Sequence, residues 1–168
     1  MPNRGGSDPL RIPRDVQSFV REQKLGFVAT IRADGSASLS PKGTLTVWDD
    51  EHLVFADLAS PGTIRNLERD ARIEVNVVDP VVRKGWRFRG TAEVLHRGDR
   101  FEAGVQFFER LSLPDAPRRV RSVVLIRVAS VTPLISPAYS DGSSEQEVRR
   151  RSWSRLKKLY GTDGARPA

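Results

Sequence analysis

Cysteine is absent from the chain, which excludes disulfides and thiolate metal sites and fits a reducing compartment. Histidine is nearly as scarce. His52 and His96 are far apart and neither has a metal-like neighbour, so both read as surface residues. No apolar run approaches the roughly 20 residues of a membrane span, and the N-terminus lacks the apolar core of a signal peptide. The expectation is a soluble, cytoplasmic protein with no membrane partner. There is no Ser/His/Asp arrangement, no glycine-rich phosphate loop and no staged pair of carboxylates. The chain offers no catalyst of its own, so redox chemistry would belong to a bound cofactor.

Acidic residues are outnumbered, 21 against 28 lysines and arginines, a formal charge of +7. Such a balance can signal nucleic-acid binding. Here the arginines are scattered, with the densest runs at Arg118–Arg121 and Arg149–Arg151, and neither zinc-finger spacing nor helix-turn-helix phrasing is present. The excess reads as a basic solvated surface with no nucleic-acid partner, suited to drawing in small phosphorylated ligands. At 168 residues the chain is one domain by size.

What is present is organised around Leu25–Val78. Two alternating apolar runs meet at Asp34-Gly35, a hairpin signal because the glycine accepts the positive φ of a tight primed turn. The second run, Ser36–Trp48, is interrupted at Pro41-Lys42-Gly43. Proline donates nothing and glycine packs nothing, so a bulge or a point where ligand meets backbone is expected. A strand at Leu53–Asp57 follows. Ser60 is a good helix N-cap and Pro61 suits the first helical position, starting a helix to Arg69 with Ile64, Leu67 and Ala71 on one side. Its first turn sets Thr63 and Arg65 beside free backbone N–H groups, a ready anion site best matched to phosphate.

The remaining pattern predicts helices at Arg14–Lys24, Asp99–Leu111 and Glu145–Tyr160, and strands at Arg72–Val78, Trp86–His96 and Val120–Thr132. In the second of these strands Trp86 and Phe88 alternate with Arg87 and Arg89, giving one aromatic and one cationic face. The last strand is expected to be buried on both sides near its centre. Residues 1–13 read as a loose arm, 14–135 as the folded domain, and 136–168 as a polar loop and C-terminal helix. Many short strands point to a mainly β, antiparallel barrel or sandwich.

The segment DGSASLSPKGTLTVWDDEHLVFADLASPGTIRNLERDARIEVNVVD resembles the FMN-binding split-barrel proteins related to pyridoxamine 5′-phosphate oxidase, and the resemblance spans Phe19–Val131. It implies a six- to seven-stranded antiparallel split β-barrel with FMN as cofactor, the alternatives being a deazaflavin or haem. It implies phosphate binding at Ser60, Thr63, Arg65 and Asn66. Many relatives carry a lysine in this turn; here Gly62 and Thr63 occupy it, so Arg65 or Lys42 has to supply the charge. Ser38, Ser40, Pro41, Lys42 and Gly43 are implied ring-side residues, with Lys42 either neutralising reduced flavin or reaching phosphate. Trp86 and Arg87, with Arg89 and the loop Arg83-Lys84-Gly85, are implied to reach the flavin of a second subunit in a homodimer. The implied function is an oxidoreductase passing hydride or electrons from reduced nicotinamide to a small-molecule substrate. The alternative is a non-catalytic binding or storage protein. Oxidation of pyridoxamine phosphate is not implied, because Trp153–Tyr160 reads as a helix where such enzymes end in a strand bearing arginine and histidine.

Overall fold

The computed structural model describes residues 10–111 and 116–161. Helix α1 (Arg14–Gln23) precedes β1 (Gly26–Ile31), β2 (Ala37–Lys42), β3 (Thr46–Val47) and β4 (His52–Asp57). Then come α2 (Pro61–Arg69), β5 (Arg72–Asp79), β6 (Lys84–Leu95), α3 (Asp99–Arg110) and the short α4 (Ala116–Arg119). Strand β7 (Ser122–Ile135), a 3-10 turn (Pro137–Tyr139) and α5 (Glu145–Tyr160) complete the described chain.

The strands form one sheet in the order β2-β1-β5-β6-β7-β4-β3, and every ladder is antiparallel. Its two edge strands, β2 and β3, are consecutive in the chain and separated by residues 43–45 alone. Such a link reaches about 14 Å, whereas six steps across a flat sheet would span roughly 29 Å. The sheet therefore curls until its edges approach: a split barrel, as expected. Thr44 fastens the seam, its hydroxyl donating to the Ala56 carbonyl at 2.9 Å and accepting from the Ala56 N–H at 3.0 Å.

The barrel interior is filled by Val28, Leu53, Phe55, Val75, Phe88, Val124 and Ile126, with Ile64 and Leu67 of α2 and Val16 and Val20 of α1 joining them. Alternate residues of the same strands, Val54 and Ala56 of β4 and Val123 and Leu125 of β7, face a second cluster under α3 with Val105 and Phe108. The expected two-sided burial of the last strand is present. Among the described residues, no helix is long and apolar enough to cross a membrane.

Several details differ from the sequence expectations. At the hairpin Gly35 alone takes positive φ, at 82°, and its N–H bonds the Arg32 carbonyl. A primed turn needs Asp34 there too, so the connection is an ordinary turn closed by glycine. Pro41 makes no bulge: β2 pairs with β1 in unbroken register through Lys42, with Phe27 opposite Pro41. An edge strand tolerates a proline, because its outer side has no ladder to lose. The bulge lies at Arg89/Gly90 instead. There a Cβ on Gly90 would come within 2.1 Å of the Arg127 carbonyl oxygen. Leu111, the expected last residue of a helix, follows the end of α3 and is half-exposed. Of the segment read as an arm, residues 1–9 lie outside the described residues, while Ile12 is buried and donates its N–H to the Asp50 carbonyl.

Replacing Thr44 with valine should destabilise the fold by about 1–3 kcal/mol, because both Ala56 backbone groups lose their partner in a part-buried seam. Urea unfolding measures this; an unchanged midpoint would mean that Thr44 does not hold the seam.

Candidate functional site

Strand β2 runs inward on alternate residues. Ser38 lies opposite Thr30, Ser40 opposite Val28 and Lys42 opposite Gly26, on the face that looks into the barrel. Curling of the sheet brings the end of this row against the start of α2. Lys42 is consequently 4% exposed. Its ammonium donates to Ser40 Oγ at 2.6 Å, to Ser60 Oγ at 3.0 Å and, more weakly, to Thr63 Oγ1 at 3.4 Å. It also lies 5.7 Å from the centre of the Phe55 ring. Burial pulls its pKa below the usual 10.5, and the nearby Asp57 carboxylate partly opposes that shift.

The start of α2 is correspondingly bare. Ser60 occupies the N-cap, but its side chain makes no cap bond and Pro61 brings no N–H. Ser60 is held instead through its backbone N–H, which donates to Asp57 Oδ1 at 2.6 Å. A hydroxyl that accepts from an ammonium keeps its own proton to donate. The cluster thus gathers one cation, three hydroxyl donors and an uncapped helix start. That donor set suits a phosphate, which is acceptor-rich and anionic.

The other residues named from the sequence divide. Thr63 and Ser60 join the cluster. Arg65 is exposed on α2. Asn66 turns away and donates to Thr30 Oγ1 at 3.0 Å. Gly43 and Pro41 are exposed at the turn where β2 leaves the sheet. Trp86 packs against the barrel core, and Phe88 is buried inside it. Arg87 meets Asn76 Oδ1 and Glu74 Oε1, each at 3.1 Å, and Arg89 meets Glu74 Oε2 at 2.8 Å. The aromatic half of this strand is therefore spent on its own core. Asp57 was not anticipated. Its only signal was its position three residues before Ser60, where a carboxylate can catch a backbone N–H. His52 pairs with Asp49 and His96 with Glu68. Among the described residues there is no metal-binding cluster.

The family model for pyridoxamine 5′-phosphate oxidase matches residues 12–132. The chain belongs to the pyridoxamine 5′-phosphate oxidase family. Among solved structures it is similar to HupZ of Group A Streptococcus, at 28% identity and TM-score 0.65, covering 74% of this chain and 95% of that one. It also shares its fold with an F420 reductase, at 21% identity and TM-score 0.58, covering 72% and 98% of the two chains. An FMN-binding protein from Syntrophomonas wolfei has the same fold at 14% identity and TM-score 0.58, with coverages of 71% and 86%. No curated protein matches the chain.

The depressed Lys42 pKa has a signed consequence. Between that pKa and 10.5 the unfolded chain holds more protons than the folded one, so stability rises with pH in this window. Anion binding at Lys42 falls in the same window, at lower pH than an ordinary lysine would give. Titration of bound phosphate ligand against pH measures this, with loss only above 10.5 contradicting it. Lys42→Met removes both effects.

Proposed function

We propose that the protein is an FMN-binding oxidoreductase, passing hydride or electrons between a reduced nicotinamide and a small acceptor. The observation that carries the reading is a buried ammonium whose hydrogen-bond partners are all hydroxyls, set against an uncapped helix start. Asp57 eases the charge only at a distance and makes no hydrogen bond to the ammonium, so an anion arriving from outside could take the direct pairing that the hydroxyls do not supply. Lys42, Ser60 and Thr63 hold the phosphate, and Arg65, exposed one turn along α2, adds charge from solvent. Pro41 and Gly43 present backbone where the chain leaves β2, and the ring lies on that side. FMN, when bound, supplies the redox chemistry. The residues of the site bind and orient it.

The working unit in this reading is a homodimer. The outer face of β1 and β2 carries Phe27 and Leu39, 41% and 68% exposed, with Ala29 directly opposite Leu39 and Pro41 opposite Phe27. That apolar strip on a sheet edge is the surface that a second copy would cover. The second reading is a non-catalytic holder of flavin, deazaflavin or haem. It rests on the same cluster, whose lysine and hydroxyls can bind and orient an anionic cofactor without themselves supplying chemistry.

The absorption spectrum of the purified protein, reconstituted with FMN and then given reduced nicotinamide without oxygen, separates these readings. A flavin spectrum that bleaches supports the oxidoreductase. Flavin that binds and stays oxidised leaves the holder, and a Soret band overturns FMN as the ligand. Light scattering of Leu39→Glu should report a monomer where the native chain is a dimer; a native monomer would end the dimer proposal.

A further inference from the structure

A second cavity lies outside the phosphate cluster. It measures about 460 Å³, within the roughly 300–1,000 Å³ of small-molecule sites. One wall is the chain from Gly43 to Trp48, including the free edge of β3. The floor is Trp48, Phe107 and Phe108, with Leu111 beside them, and Arg21 and Lys24 from the end of α1 stand at the rim. Neither Ser40, Lys42, Ser60 nor Thr63 lines it.

We propose that this cavity is a binding site for a small organic anion with a flat apolar body. The floor is aromatic in a directed way. The Trp48 and Phe107 ring centres are 4.9 Å apart and tilted, both rings are only partly buried, and Phe108, edge-on to Phe107 at 5.6 Å, backs them from the core. The rim is cationic: among the described residues, no carboxylate lines the cavity. Among the described residues Arg21 bonds the neutral Gln17 side chain, at 3.2 Å, and no carboxylate. Lys24 is held in place by its left-handed backbone, φ 53°, which caps α1 and fixes where the side chain departs. Thr46 adds a hydroxyl to the wall, whereas the Thr44 hydroxyl is engaged by both backbone groups of Ala56. An apolar floor alone would accept neutral guests. Two cations on one rim select those that carry a carboxylate or sulfonate, because a charge-assisted contact contributes more than a neutral one. Gly43 lies both on this wall and on the ring side of the Lys42 cluster, so the guest would sit beside a bound flavin's ring and away from its phosphate.

The test uses 2-naphthoate and its neutral relative 2-naphthamide on the full chain, read by tryptophan fluorescence and by calorimetry. Naphthoate should bind roughly tenfold or more tighter than naphthamide. The double variant Arg21→Gln/Lys24→Gln, both at exposed positions, should erase that preference while leaving naphthamide unchanged. Trp48→Phe should remove most of the fluorescence signal but not the calorimetric one, and Lys42→Met should leave naphthoate binding intact. Equal affinity for the two probes, or a preference that survives the double variant, overturns the proposal. Loss of naphthoate binding in Lys42→Met places the probe on the phosphate cluster and overturns it too. Displacement of naphthoate by FMN would assign the cavity to the cofactor, with the same result. A protein that binds naphthoate but not FMN would sink the flavin reading and leave this one standing.

Discussion

The short link between the two sheet edges is the constraint from which the rest follows. Three residues cannot cross a flat seven-stranded sheet, so β2 and β3 must meet around the far side. Closing the sheet makes an interior, which β4 and β7 fill with Leu53, Phe55, Val124 and Ile126. It also leaves the outer sides of those strands to α3, which is why both read as apolar on successive residues. The same curl carries the end of β2 to the start of α2. Residues 42 and 60, which no local pattern connects, become hydrogen-bond partners.

That meeting is energetically unusual. An ammonium loses much of its hydration when it is 4% exposed, and neutral hydroxyls replace only part of it. Asp57 eases the charge at a distance and holds Ser60 in place. The fold keeps Lys42 at a cost that a methionine would not incur. A phosphate bound to the same atoms would repay it, since the ion pair then forms in a sheltered place with its donors already arranged.

Much of this was legible in the chain. The 3.6-residue spacing of Ile64 and Leu67 located α2 correctly, since both face the core, whereas Ala71, read onto the same side, lies past the helix end and is exposed. The alternation of Trp86 and Phe88 with Arg87 and Arg89 correctly assigned their faces, but not which face was inward. Without knowing that the sheet closes, an aromatic row can serve a core or a partner equally well. Pro41 misled for a similar reason: its cost depends on whether β2 is an edge, a fact of topology. The Lys42 cluster was half visible. Ser38, Ser40 and Lys42 share a strand face by their period of two. Their union with Ser60 and Thr63 depends on a long-range contact, and Asp57 emerges only with it. The apolar residues of α5 divide between the body and solvent. Val148 docks, whereas Trp153, Leu159 and Tyr160 remain about half-exposed.

The most direct test of the account compares FMN with riboflavin, which has the same ring and no phosphate, by fluorescence titration of the native chain and of Lys42→Met. If Lys42 and its hydroxyls hold the phosphate, FMN binds more than tenfold tighter than riboflavin, as charge-assisted bonds of roughly 1.5–3 kcal/mol require. That advantage disappears in Lys42→Met while riboflavin binding stays the same. Equal affinity of the native chain for the two flavins, or an FMN advantage that survives the substitution, would contradict it.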